Sequence, residues 1–197
     1  MQTKDYTTYR KTIRTGDIIA FGGNSAVSVG IKLLTNCNVS HVATVLRTFN
    51  RLMDKPIIQI IESVGLKDGV AGVQVNRLSP YIKSYKGNIW HLPLSNQFRN
   101  SLRLHKTINW LITQEGKPYD APQALGAGLD SIFPDNKTDF TRLFCSELCT
   151  AGFQVGLVDH DKISHLNPSE MTPADVINFP IYQSPMQLCG PPTSLLR

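Results

Sequence analysis

The chain has 197 residues and a formal net charge of +5, with 41% hydrophobic and 18% charged residues. That length supports one substantial core, so a single domain over 1–197 is expected. The positive excess is scattered with no block of like charge, which argues against a nucleic-acid partner, and the recurring aromatic and β-branched residues argue against disorder.

Residues 1–15 read as a short polar lead-in without the apolar core of a signal peptide. No apolar run approaches the length of a transmembrane segment, so a cytoplasmic protein is expected. Residues 17–21 form a brief apolar run after Gly16 and predict a strand, broken by Gly22-Gly23-Asn24. Ser25 is placed to cap a helix through Val27, Val29, Ile31, Leu33 and Leu34. Strands are predicted at 39–46, 57–63, 72–75 and 88–92, and short strands with tight connections favour antiparallel pairing. Beyond residue 96 the period changes. Phe98, Leu102, Leu104, Ile108, Leu111 and Ile112 predict one long helix over 96–115, ended by Gly116-Lys117-Pro118. A weak short helix at 120–129, a polar loop at 132–138, a helix at 144–155 and the start of another at 173–176 follow. Strands first and helices later imply an α+β domain.

Four cysteines, Cys37, Cys145, Cys149 and Cys189, form no Cys-x-x-Cys pair. Neither a disulfide framework nor a zinc site is expected, and no cofactor. Cys145 and Cys149 are four apart, on one face of a helix. Cys149 is read as a small core hydrophobe.

Three polar residues stand in apolar settings: His41 within the strand 39–46, Glu62 at the end of the strand 57–63, and Cys145 at the opening of the helix 144–155. A thiol at a helix N-terminus feels the positive end of the dipole, which favours the thiolate, and its free backbone N–H can face an oxyanion. A histidine can take the thiol proton and return one to a leaving group. A carboxylate on the neighbouring strand can hold the imidazole. Strand parity puts Glu62 opposite in facing to Gln59, with Ser63 the competitor if the register slips by one. Each residue alone also has a plain reading: a satisfied core histidine, an inert buried thiol, a charge at a fraying strand end.

Three segments resemble motifs of the circularly permuted papain-like hydrolases related to the NlpC family, in its YiiX/YebB-like branch. They are Thr15-Gly16-Asp17-Ile18-Ile19-Ala20-Phe21, the opening strand; Val39-Ser40-His41-Val42-Ala43-Thr44-Val45, the histidine motif, with Ala43 where glycine is usual; and Phe144-Cys145-Ser146-Glu147-Leu148, the nucleophile motif. The Asn-Pro-Ser-Glu-Met-Thr-Pro-Ala-Asp stretch near 168–176 is similar to the family's C-terminal part. The resemblance covers about residues 15–180. It implies an antiparallel sheet packed against helices with the nucleophile at a helix N-terminus. In ordinary papain-like enzymes the cysteine precedes the histidine; here His41 precedes Cys145, as a permutation requires.

The resemblance implies a Cys145–His41–Glu62 triad and a thioester intermediate. The expected substrate is an amide, in a small peptide or a γ-glutamyl or peptidoglycan fragment. Alternatives are an acyltransferase or thioesterase acting on lipid or acyl substrates, and an inactive binding module of the same fold. An intracellular or phage-borne amidase fits the absence of a wall-binding module. Tyr119, in a Tyr119-Asp120 segment similar to the family's, either lines the cleft or packs on the long helix. Ser40 and Ser146 flank the catalytic pair as supporting or substrate-binding residues. Asp17 is either a hydrogen-bonding residue near the site or a turn residue. Glu147 is read as a structural charge in the first helical turn. His91, His105, His160 and His165 are read as surface or core residues.

Overall fold

The computed structural model describes residues 5–50, 52, 55–67, 69–119, 141, 143–158 and 163–196. The expected helix at 120–129, the loop at 132–138, Asp120 and His160 lie outside the described residues. Six strands form one antiparallel sheet: β1 (Ile18–Gly23), β2 (His41–Asn50), β3 (Lys55–Lys67), β4 (Val70–Arg77), β5 (Gly87–Leu92) and β6 (Met186–Cys189). Their spatial order is β4-β3-β2-β1-β5-β6. The helices are α1 (Tyr6–Tyr9), α2 (Ala26–Leu34), α3 (Leu78–Ser84), α4 (Asn96–Ser101), α5 (Leu104–Thr113), α6 (Cys145–Gly156) and α7 (Pro173–Asn178). A single 3-10 turn spans Pro168–Glu170.

β1 and β2 are apolar on both faces because both faces are covered. Ile19, Phe21, Ala43, Val45, Ile58 and Ile60 pack with the tyrosines of α1 and α3. On the other face, Ile18, Ala20, Val42, Trp90 and Leu92 pack against Cys145, Cys149 and Phe153 of α6 and against α7. A third cluster joins Leu46, Ile61 and Val73 to Leu111 of α5 and Leu148 of α6. Burying each such aliphatic side chain contributes about 1.5–3 kcal/mol, so this helix-backed face fixes where α6 begins.

Several elements differ from the sequence reading. β1 runs on through Gly22 and Gly23, where a Cβ on Gly22 would lie 2.4 Å from the Asn38 carbonyl oxygen. The glycines there permit close backbone approach and do not end the strand. The single helix expected over 96–115 is two, α4 and α5. The break falls at Leu102-Arg103, where Leu102 bridges to Leu157 and the Arg103 amide donates to the Gly156 carbonyl at 2.7 Å. α1, α3 and β6 carry too few periodic residues to announce themselves in the sequence.

The C-terminal segment returns to the loop before β2. The Asn38 amide donates to the Leu195 carbonyl at 3.0 Å, Asn38 Nδ2 to the Ser194 carbonyl at 2.9 Å, and Cys37 bridges to Leu196.

Candidate active site

The site lies where β2 and β3 part. Their paired residues run from Asn50↔Lys55 to Thr44↔Ile61. Val45 lies opposite Ile60, so odd residues of β2 share a face with even residues of β3. His41 and Glu62 are therefore on one face, and His41 Nε2 donates to Glu62 Oε2 at 2.7 Å. Ser63 takes the opposite face, where its hydroxyl donates to the Leu143 carbonyl at 2.5 Å. Parity thus separates the two acceptors that the sequence left in competition.

Glu62 is 1% exposed. Its second oxygen, Oε1, accepts from Asn76 Nδ2 at 2.9 Å and from the Tyr81 hydroxyl. A buried carboxylate needs such donors, and here they also fix its orientation toward the ring. Phe21 packs against the imidazole, with ring centroids 5.4 Å apart.

Cys145 is the first residue of α6, with Phe144 as the N-cap. His41 and the backbone amides of Val42 and Ser146 all act on its thiol. Nε2 of His41 is engaged by Glu62, which leaves Nδ1 to face the thiol. The Val42 amide lies beyond the last β2–β3 pair, and the Ser146 amide belongs to the open first turn of the helix. Both stabilise negative sulfur. Burial by itself raises the Cys145 pKa, but the charge and hydrogen bond of His41, then the two amides, bring it below the ordinary thiol value. For His41 the same opposition holds. Burial lowers its pKa, but the thiolate of Cys145, then Glu62, raise it to about 10. These directions favour a thiolate–imidazolium pair.

Cys149, one turn on, accepts from the Thr44 hydroxyl at 3.4 Å, and burial pushes its thiol up to about 12. Two cysteines on one helix face thus differ in chemistry. Only the first meets the histidine and the open amides. Glu147, fully buried, accepts from the Phe144 amide at 3.5 Å across the helix start.

A groove of about 590 Å³ opens over His41. Phe21, Tyr81, Tyr85 and Tyr119 supply aromatic walls, Val27, Ile31 and Val64 aliphatic ones, Asn24, Ser25, Ser28, Ser40 and Ser63 polar ones, and Lys86 a cation in addition to His41. Burial and then the Glu62 charge push Tyr85 up to about 12, so it stays a neutral phenol.

Of the residues singled out in the sequence, His41, Glu62, Ser40, Ser63 and Tyr119 line this groove, and Cys145, 5% exposed, is not among its lining residues. Ser40 accepts from the Gly23 amide at 3.2 Å and donates to the Phe21 carbonyl, and so shapes the rim. The Ser146 side chain is fully buried and does not line the groove; its amide, not its hydroxyl, meets the thiol. Asp17 is also elsewhere. It accepts from His91 Nε2 at 2.9 Å, Arg99 Nη2 at 2.5 Å, and the amides of Leu94 and Arg14 at 3.0 and 2.8 Å. This binds the strand start to its neighbours, outside the groove. His91, read as a surface or core residue, is buried and has Asp17 as a partner, with the Tyr9 hydroxyl 2.9 Å from its Nδ1. His105 and His165 are exposed.

Asn76 and Tyr81 were missed. Asn76 falls one residue past the strand expected at 72–75, which in fact reaches Arg77. Gln74 and Asn76 at alternate positions of an apolar strand were the available signal.

Among solved structures, the crystal structure of metalloprotein yiiX from Escherichia coli O157:H7 (DUF1105) is similar to this chain, with a TM-score of 0.52 and 22% identity over 90% of this chain and 89% of that one. The chain shares the YiiX fold. No protein-family model and no curated protein matches it. The YiiX-like architecture here is a mixed α+β one, a six-stranded antiparallel sheet with helices on its faces. Among the described residues no helix is long and apolar enough to cross a membrane.

Proposed function

We propose that this protein is a cysteine hydrolase of permuted papain-like type, acting at an acyl carbonyl through Cys145, His41 and Glu62. The observation that carries the proposal is the thiol at a helix start beside an imidazole whose Nε2 is hydrogen-bonded to a buried carboxylate.

The thiolate sulfur attacks the carbonyl carbon and forms a C–S bond, and the carbonyl electron pair moves to oxygen. The Cys145 amide, at the first helical position, has no partner within the helix and faces that oxyanion. The tetrahedral species collapses by breaking the bond to the leaving nitrogen or oxygen, which takes the proton from the His41 imidazolium. Water then attacks the thioester, and His41 accepts its proton. The acid leaves and the thiolate is restored. Glu62 holds the ring with Nδ1 toward sulfur and balances the imidazolium charge.

An amide of a small peptide or peptidoglycan fragment is the substrate that the motifs imply. A second reading, an acyl substrate, draws on the aromatic and aliphatic part of the wall, which shares the groove with polar Asn24, Ser25, Ser28, Ser40 and Ser63. The similar yiiX protein is described as a metalloprotein. Among the described residues here no three His, Cys, Asp or Glu side chains converge as metal ligands.

Alkylation by iodoacetamide, followed by peptide mapping across pH, tests the proposal. Cys145 should react well below pH 8.5, ahead of Cys37, Cys149 and Cys189. A Cys145 that titrates like an ordinary thiol overturns it.

A further inference from the structure

α2 is built inside out. It spans nine residues, Ala26–Leu34, and buries none of them. Val27 is 58% exposed, Val29 40%, Leu33 63% and Leu34 51%. At roughly 100° per residue, Val29, Leu33, Ala26, Gly30, Leu34 and Val27 follow one another around the helix as an unbroken apolar arc of about 160°. The polar residues Ser28 and Lys32 lie outside that arc and are partly buried. A surface helix of a globular protein normally turns its apolar arc inward. This one turns it to solvent, while Val27, Ser28 and Ile31 line the groove over His41. The helix is thus a wall with the candidate site on one side and an exposed apolar surface on the other.

We infer that α2 seats the protein on an anionic lipid surface, with its outer arc in the headgroup–acyl boundary, and that the groove takes its substrate acyl chain from that surface. The substrate assignment rests on the hydrolase reading above; the docking does not. Three observations select a lipid surface over a second copy of the chain. The helix carries no acidic residue but does carry Lys32, the groove is lined by Lys86, and the chain has a net charge of +5. That balance suits an anionic interface. The arc is also small. Nine residues at about 1.5 Å each give a strip roughly 14 Å long, which at a helix width of about 10 Å covers on the order of 140 Å², far short of the ~800 Å² per partner of a stable protein interface. Finally, Leu196, 48% exposed and bridged to Cys37 just past the helix, adds a further apolar side chain at that end.

The test uses the full chain, a Val29→Glu/Leu33→Glu double variant, and Cys145→Ser. Each is sedimented with vesicles of phosphatidylcholine alone and of an equal mixture with phosphatidylglycerol. Wild type and Cys145→Ser should partition onto the mixed vesicles, more weakly onto phosphatidylcholine. The double variant should lose binding by at least about tenfold with an unchanged circular-dichroism spectrum. On a short-chain ester, the double variant should match wild type below the critical micelle concentration and lose the rise in rate above it. Equal sedimentation of wild type and double variant overturns the inference. So does no sedimentation of either, or a wild-type dimer in light scattering that the double variant converts to monomer. Vesicle binding by a protein whose Cys145 titrates as an ordinary thiol would retain the docking and remove the hydrolase reading.

Discussion

Glu62 carries the site's electrostatics. Both of its oxygens are bonded, one to His41 and one to Asn76 and Tyr81, in a setting with almost no water. Glu62→Gln keeps the shape and removes the charge. Burial already disfavours the imidazolium; the thiolate and Glu62 together overcome that and raise the His41 pKa to about 10. A raised histidine pKa means the imidazolium persists at every pH below about 10 and is lost above it. Without the carboxylate that upper limit falls, so the alkaline limb of a kcat/KM profile should move toward neutral pH. At the optimum, kcat should drop roughly 10²–10⁴-fold, since the ring also loses its fixed tautomer. An alkaline limb that stays in place would show that Glu62 does not tune the base. The three central residues were legible because parity and helix position are local properties of the sequence. Their supports were not. Asn76 sits past an underestimated strand end, and Tyr81 follows Ser79-Pro80 in a helix too short to show a period.

Between elements, the delicate contact is the crossing of β4 with the chain after α5. Gly72 has φ +116°, and a Cβ there would stand 2.1 Å from the Lys117 carbonyl oxygen. The Val73 amide donates to that same carbonyl at 2.8 Å, and the Gly116 amide to the Val73 carbonyl at 2.8 Å. Next along, the Leu143 amide donates to the Pro118 carbonyl at 3.0 Å, two residues before Cys145. Gly72→Ala therefore strains the backbone and pushes away the segment that aims the nucleophile helix. A loss of at least about 1 kcal/mol in urea unfolding is expected, beyond the ordinary effect of glycine replacement, together with slower Cys145 alkylation in the folded state. The sequence showed Gly72 only as a strand start. A strand residue's neighbour across a crossing is a tertiary fact. The same holds for α4 and α5: continuous helical spacing over 96–115 is real, but Leu102 and Arg103 find partners on the end of α6 that outweigh it.

Asp17 and His91 are each 1% exposed, and with Tyr9 and Arg99 they tie β1, β5, α1 and α4 together. Asp17→Asn leaves His91 and Arg99 without their anion in a dry setting. A destabilisation of about 3–5 kcal/mol is expected from losing one partner of a buried charged set. Specific activity of the molecules that remain folded should be unchanged, because the network lies outside the groove. Activity lost in proportion to neither stability nor folded fraction would return Asp17 to the site. The fold class was legible from strands grouped ahead of helices. The partnership of Asp17 with His91 was not, because β1 and β5 become neighbours only when the sheet closes around a long excursion through β2, β3 and β4.

The order of the two halves of the site has a temporal meaning. His41, Glu62, Asn76 and Tyr81 all belong to the first half of the chain, and the sulfur of Cys145 comes 64 residues after the last of them. At roughly 5–20 residues per second, a growing chain carries a finished acid–base device for several seconds before it owns anything to activate. Even then the loop before His41 is unmoored until Leu195 arrives to grip Asn38. On the hydrolase reading proposed above, a polypeptide still on the ribosome therefore lacks the group that would attack an acyl compound.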